Sequence, residues 1–325
     1  MDAQIESKCR NLVENYRILA AGNKLEFSEM TLACAGIYLA EGVRPDVNRV
    51  KECKKILKSK AGIFSNFRGS DELLVRCKMA LSPDPDRYFE KLKSEYMLLR
   101  TFFSGEQTVL AAMILAEQDY TEGLAEKTKE IYQEMRQAHW WLTSQNDLPF
   151  AALMAVSGRD AVSVYAEAEQ IYNLLKGNLQ ADKNTLQMIS HILAIRSGSV
   201  NAKCEKICAL AEGLKKAKHS PGRGSRLAIL SLLADSDLPN ELLIERIGET
   251  DNYLKQFKPF HGFFGVGRQC RRMYAVQMVH SVLSGEESLG SSAMMTASVE
   301  LAIVIMILMM IILSSTTTST QAASH

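Results

Sequence analysis

The sequence predicts an all-α protein, a superhelical array of the α-solenoid kind with about six or seven antiparallel helix pairs. Three observations predict it: self-similarity near forty residues, a scarcity of helix breakers, and an alternation of apolar with amphipathic helices. Only 7 prolines and 19 glycines punctuate 325 residues, so regular elements are long. Leu, Ala, Glu, Lys and Met dominate, as helices prefer.

The register comes from two anchors. Short apolar helices end near Ala40, Leu81, Ala116, Val156, Ala194 and Ala234, at spacings of 41, 35, 40, 38 and 40 residues. Each precedes a more charged helix with a common ending. A degenerate first copy closes on Lys54 to Lys58 (KKILK). Later copies read Tyr96 to Arg100 (YMLLR), Tyr132 to Arg136 (YQEMR), Tyr172 to Lys176 (YNLLK) and Ala211 to Lys215 (AEGLK), and a last one contains Tyr253 to Phe257 (YLKQF). These tyrosines are expected to pack between helices with the hydroxyl at the rim.

Punctuation falls between the anchors. Ser82-Pro-Asp-Pro-Asp86 breaks one helix and opens the next. Ser104 with Gln107 reads as a capping box before VLAAMILA, and Ser144 with Asp147 as a less ideal one before PFAALMAV. Gly158 and Gly198 mark matching turns after Ser157 and Ser197. Asp237 reads as an N-cap, with Pro239 in the first turn that follows. VLAAMILA and LAILSLLA are apolar on most faces, whereas YAEAEQIYNLLK keeps Tyr165, Ala168, Tyr172 and Leu175 on one face. That pairing of a buried helix with a half-exposed one gives repeat arrays a continuous core.

Charge is balanced at 38 Lys+Arg against 37 Asp+Glu, which argues against nucleic acid as a partner. The N-terminus has acids early and no apolar core of a secretory signal. Seven scattered cysteines fit reduced thiols better than a disulfide framework. An intracellular location is expected.

The expected organisation is a helical-repeat domain over 1–285, a linker over 286–293, a hydrophobic helix over 294–313 and a disordered Ser/Thr-rich tail over 314–325. Leu301 to Leu313 is apolar without a break. Starting from Met294, the helix has 20 residues, about 30 Å at 1.5 Å each. Two readings follow: an anchor holding the protein on the cytoplasmic face of a membrane, or a buried helix of a soluble cytoplasmic protein.

The most unusual segment is KPFHGFFGVGR, from Lys258 to Arg268. It has the letters of a glycine-rich loop, but no strand precedes it and no Lys-Ser/Thr closes it, so it is not a nucleotide cradle. It leads into a helix opening with Arg268, Arg271 and Arg272. With helix-start amides these would hold an anionic headgroup or a partner's carboxylates. His261 and, in an earlier loop, Arg68 complete the candidate binding set. The plainer reading packs Phe260, Phe263 and Phe264 against the last repeat beside a solvated basic turn. Cys204 and Cys208 lie four apart on one helix, but a closed metal site needs four ligands, so core packing is expected and no metal or cofactor. Trp140 and Trp141 fall where another copy carries Phe102 and Phe103, which predicts packing between repeats.

Four stretches resemble a bacterial all-helical family designated as a domain of unknown function, number 4003. They are RVKECKKILKSKAGIFSNFRG (49–69), SGEQTVLAAMILAE (104–117), LTSQNDLPFAALMAVS (142–157) and GFFGVGRQCRRMYAV (262–276). The likeness covers nearly the whole chain, although LAIVIMILMMIIL departs from the family's alanine-rich tail. It implies no activity and no catalytic residue. From the repeat register, the apolar tail and the lack of a recognisable catalytic constellation, the expected function is a non-enzymatic scaffold that binds a protein or peptide on a concave face. The alternative is an enzyme in the hollow of the array acting on an anionic or lipid-like substrate, with His261, Arg268, Arg271 and Arg68 in its site.

Overall fold

The computed structural model describes residues 1–22, 28–62, 65–261 and 265–287. The expected hydrophobic helix 294–313 and the tail lie outside the described residues. Among those residues the protein is all-helical, with thirteen α-helices, one long 3₁₀ helix and three short 3₁₀ turns. In chain order the first seven are α1 (Ala3–Gly22), α2 (Ser28–Ala40), α3 (Val47–Lys60), α4 (Glu72–Leu81), α5 (Pro85–Arg100), α6 (Glu106–Ala116) and α7 (Leu124–His139). Then follow α8 (Leu148–Val156), α9 (Ala161–Asn178), α10 (Lys183–Ala194), α11 (Val200–Lys216), the 3₁₀ helix Gly224–Leu233, α12 (Asn240–Leu254) and α13 (Arg268–Glu287).

The alternation read from the sequence is present. Every residue of α6 from Gln107 to Ala116 is buried, and so is every residue of α8 from Leu148 to Ala155. The helices α2 and α10 and the 3₁₀ helix are buried over comparable runs. The charged helices bury one stripe only, such as Ala125, Thr128, Ile131, Tyr132 and Met135 of α7. Tyr96, Tyr132 and Tyr172 are buried as expected, and the Tyr96 hydroxyl accepts from Asn66 Nδ2 at 3.0 Å.

Helix starts follow local chemistry. Asp46, Asp84, Asp182 and Ser199 each accept from amides of the first turn, which satisfies donors that have no intrahelical acceptor. Ser144 and Asp147 form the reciprocal box. Two expected starts differ. α6 is preceded by Gly105 at φ 107°, and Ser104 instead accepts from Gln145 at 3.3 Å. The backbone turns left-handed at Gly105, a conformation glycine adopts freely, so the serine is one residue out of register for capping. At α12 the helix begins at Asn240, so Pro239 precedes the first turn and Asp237 does not cap it.

Helix ends show a device the sequence pattern does not display. Basic side chains of the charged helices reach the terminal carbonyls of the buried ones. Arg49 of α3 donates to Ser82 O at 2.6 Å, and Lys91 of α5 donates to Gln118 O. Lys203 of α11 is 1% exposed, and its ammonium donates to Leu193 O at 2.7 Å and Arg196 O at 2.9 Å. A cation at this end meets the negative pole of the helix and the carbonyls that lack amide partners. That pairing offsets the desolvation of a buried ammonium.

The chain divides into two compact units, Pro45–Glu169 and the pair of segments Met1–Arg44 and Gln170–His325. In the first, α3 packs on α4, α5 on α6, α7 on α8, and α6 on α8. In the second, α10 packs on the 3₁₀ helix, which packs on α13, and α12 packs on α13. The N-terminal helix α1 also packs on α12 and α13. Tyr253 Oη joins them, accepting from Arg10 Nε at 2.9 Å and donating to Glu6 at 3.1 Å. Gly36 of α2 lies against the Gln277 side chain, 3.7 Å from where a Cβ would sit.

Trp140 and Trp141 do not pack between repeats. They are 69% and 58% exposed and stack edge to face at 6.0 Å. They follow the end of α7, where Thr143 Oγ1 donates back to Met135 O and His139 O, so the chain turns before either ring reaches the core. The matching pair splits: Phe103 packs on Tyr132 at 4.9 Å, whereas Phe102 is exposed beneath Lys129.

Candidate cleft beside the start of α13

Two of the predicted arginines meet, on a partner from another helix. Asp251 of α12 is 2% exposed and accepts from Arg271 Nε at 2.6 Å and Arg272 Nε at 3.2 Å. His219 Nδ1 lies 2.8 Å from the same carboxylate. Burial alone would raise the Asp251 carboxyl, but hydrogen bonds from Arg271 and His219 outweigh it and hold the group below its ordinary range. Arg271 is itself buried, so it serves the fold. Arg272 goes further, donating Nη1 to Ser220 O at 2.9 Å and Nη2 to Lys218 O. One guanidinium thus ties α12, α13 and the loop after α11 together.

The remaining predicted residues are dispersed. Arg268 is exposed on the first turn of α13, and His261 is exposed after the 3₁₀ turn Lys258–Phe260. Phe260 is buried against Tyr274 at 5.6 Å. Phe263 and Phe264 lie outside the described residues. Arg68 belongs to the other unit, half-buried on the 3₁₀ turn Asn66–Arg68.

Arg272 borders an open cleft of about 1100 Å³. One wall is α11, with Cys204, Glu205, Cys208 and Glu212; another is the loop bearing Ser220, Arg223 and Arg226. Gln269 of α13, Asn178 of α9, Gln180 and, on α11, Asn201 and Lys215 add further polar lining. The loop reads Ser220-Pro-Gly-Arg-Gly-Ser-Arg226. Gly222 has φ 121°, and a Cβ there would sit 3.0 Å from Gln269 Cδ. Gly224 has φ 66°. Both positions demand glycine, and between them Arg223 is presented to solvent. The signal for this loop was in the sequence as a Pro-Gly-Arg-Gly-Ser-Arg run, without the Lys-Ser/Thr ending of a recognised motif.

Burial pushes the Cys204 thiol up to about 11 and raises Cys208 as well. At neutral pH they line the cleft as thiols, weak nucleophiles and poor metal ligands. Among the described residues no group of three His, Cys, Asp or Glu side chains is placed to share a metal.

The unit Pro45–Glu169 holds a different polar cluster. Ser70 Oγ lies 3.1 Å from Asp71 Oδ1 and 2.9 Å from Glu106 Oε2, one hydroxyl between two carboxylates. Asp71 is 1% exposed, and burial, reinforced by the charge of Glu106, pushes its carboxyl up to about 6. Its folded value stands above the unfolded 3.8, so the charged form penalises the fold above pH 6, and the penalty fades as pH falls toward 4. Asp71→Asn is therefore expected to stabilise the protein by about 1–3 kcal/mol at pH 7.5 and by almost nothing at pH 4. Urea unfolding at both pH values checks this; an equal gain at both would leave charge burial out of the account.

The chain is similar to the uncharacterized protein YeaA of Bacillus subtilis (strain 168), 26% identical over 247 residues, which cover 68% of this chain and 70% of that protein. No solved structure matches it. Residues 15–310, which include every helix from α2 to α13 and the whole cleft, match the family described as "Protein of unknown function (DUF4003)", and the chain belongs to that family.

Proposed function

We propose that the protein is a non-enzymatic binding scaffold, an α-solenoid-like array of helix pairs whose cleft along α11 takes an extended peptide segment of a partner protein. The observation that carries this reading is the composition of the cleft. It is open and about 1100 Å³ in volume, with carboxylates on α11, guanidinium groups on the facing loop sequence and carboxamides at Asn178 and Gln269. A carboxamide offers both a donor and an acceptor, which suits the alternating groups of a peptide backbone. Charges of both signs favour register and selectivity over bulk affinity. The predicted arginines take a new division of labour: Arg272 shapes the loop, and Arg268 and His261 are exposed positions from which a bound segment is extended.

The test is an array of immobilised peptides probed with the full-length protein and with an Arg223→Glu, Arg226→Glu variant. A recurrent subset enriched in acidic residues is expected, lost in the variant. Binding that ignores peptide sequence, or that the charge reversal leaves intact, would sink the reading.

The apolar run 294–313 supports a second part of the proposal, that the scaffold is held at the cytoplasmic face of a membrane. No helix among the described residues is long and apolar enough to cross one, and the proposal places the anchor in that run. Release from membranes by detergent but not by alkaline carbonate is expected for the full chain, and free solubility for a chain stopped after Gly290. Carbonate-soluble full-length protein would instead favour the buried-helix reading.

A further inference from the structure

We infer that the loop Ser220–Arg226 forms a phosphoryl-binding subsite at one end of the cleft, with Arg223 and Arg226 as its ligands and Arg272 as a positioning residue. This deepens the peptide reading by naming the chemistry of one position, a phosphate monoester carried on the bound segment.

Three observations carry it. First, among the described residues neither Arg223 nor Arg226 makes a hydrogen bond or ion pair, although Arg226 is half-buried and both line the cleft. Of the other guanidinium groups here, Arg272 of the cleft lining is committed to Asp251, Ser220 O and Lys218 O, and its neighbour Arg271 to Asp251, whereas Arg268 is exposed outside the cleft lining. Second, the loop is held in shape by specific parts. Arg272 holds the Ser220 carbonyl at its start and that of Lys218 just before it, Ser220 Oγ accepts from the Gly222 amide at 3.2 Å, and Gly222 packs closely on Gln269. Third, the chain enters the ten-residue 3₁₀ helix at Gly224, and the opening amides of a helix lack intrahelical acceptors.

The count of donors selects the ligand. Each guanidinium presents up to five N–H donors in planar forks, and a carboxylate has about four acceptor positions in one plane. A phosphoryl group offers three oxygens with up to two negative charges, so it can accept from both arginines and a loop amide together. Lys215 also lines the α11 wall, but Glu205 and Glu212 there repel an anion, although Glu212 is partnered by Lys216 at 2.7 Å. They confine the phosphoryl group to the loop end and suit a basic residue elsewhere on the same peptide.

The experiment titrates the full-length protein at low salt with inorganic phosphate, O-phosphoserine, acetate and a peptide selected on the array, the last with and without a phosphoserine. Phosphate and phosphoserine should bind at least about tenfold more tightly than acetate, from the loss of two or more charge-assisted hydrogen bonds. Arg223→Gln with Arg226→Gln should weaken them by a similar factor, and Lys58→Gln, exposed on α3 in the other unit, should not. The phosphorylated peptide should exceed its unmodified form. Equal phosphate affinity in the double variant, or acetate matching phosphate, overturns the subsite. If the phosphopeptide gains nothing although free phosphate binds, the peptide-borne assignment falls. If the unmutated protein selects peptides on the array but does not prefer phosphate, the subsite alone falls; if it selects no peptides, the peptide reading falls.

Discussion

Asp251→Ala is expected to destabilise the unit that contains it by about 3–5 kcal/mol, the cost of leaving a buried cation without its counter-charge. Arg271 is 8% exposed and donates to that carboxylate at 2.6 Å, and among the described residues its side chain has no other hydrogen-bond partner. Arg272 would lose its Nε partner too but keep Ser220 O and Lys218 O, so the larger part of the loss sits with Arg271. The carboxyl is held below its unfolded value, so its contribution is complete above the unfolded pKa of about 3.9. It is lost as pH falls through the folded value. Wild type and variant should differ most at neutral pH and converge in strong acid. Denaturant unfolding at pH 7 and pH 3 measures both; a neutral-pH loss under about 1 kcal/mol would mean that the Asp251 ion pairs are solvated and dispensable.

Phe150→Ala should cost the unit Pro45–Glu169 a comparable amount, about 3–5 kcal/mol. Phe150 is 1% exposed near the start of α8, a helix buried on every side from Leu148 to Ala155. Surroundings fixed by α6 and α7 on that helix collapse poorly onto the space a phenyl ring leaves, so transfer and cavity costs add. Because the two substitutions lie in different units, calorimetry of both variants reads how far the units melt together. Two resolved transitions, each shifted by one substitution, would show independent unfolding. A loss of less than 1.5 kcal/mol for Phe150→Ala would indicate a loosely packed α8.

The register of helices was legible because burial imposes it. A helix surrounded by protein must be apolar on all sides, and VLAAMILA or PFAALMAV can be read as such without coordinates. Starts at Asp84 and Ser144 were equally legible, since capping is a local interaction. Gly105 escaped because its left-handed turn shifts the start of α6 by one residue, and no composition rule separates Ser104 from Gly105 as the last non-helical position. The Trp140–Trp141 pair was misplaced because repeat alignment assigns equivalent positions but not the angle at which the chain leaves α7. Arg271 and Arg272 were singled out as cations awaiting an anion, and they have one: Asp251, twenty residues upstream on the preceding helix. Sequence gives charges but not pairings, and the pairing decides whether a cation is structural or available. For the same reason no sequence pattern sets Lys203 and Arg49 apart from the other charges of their helices, although they close the ends of buried ones. Arg223 and Arg226 stand apart because Arg272, the other arginine lining the cleft, is committed to Asp251 and two carbonyls.

The packing of α1 on α12 and α13 also sets a timetable for the newborn chain. The two helices made first belong to a unit whose remaining parts begin at Gln170, and their partners are among the last described residues to leave the ribosome. At roughly 5–20 residues per second, α1 and α2 wait on the order of ten to fifty seconds before α13 emerges. Meanwhile the stretch from Pro45 to Glu169 can close on itself. Through that interval the apolar face of α2, buried from Thr31 to Leu39 in the finished protein, has no permanent neighbour on its α13 side. Synthesis that halts before α12 therefore releases an orphaned N-terminal hairpin, a ready substrate for chaperones and proteases.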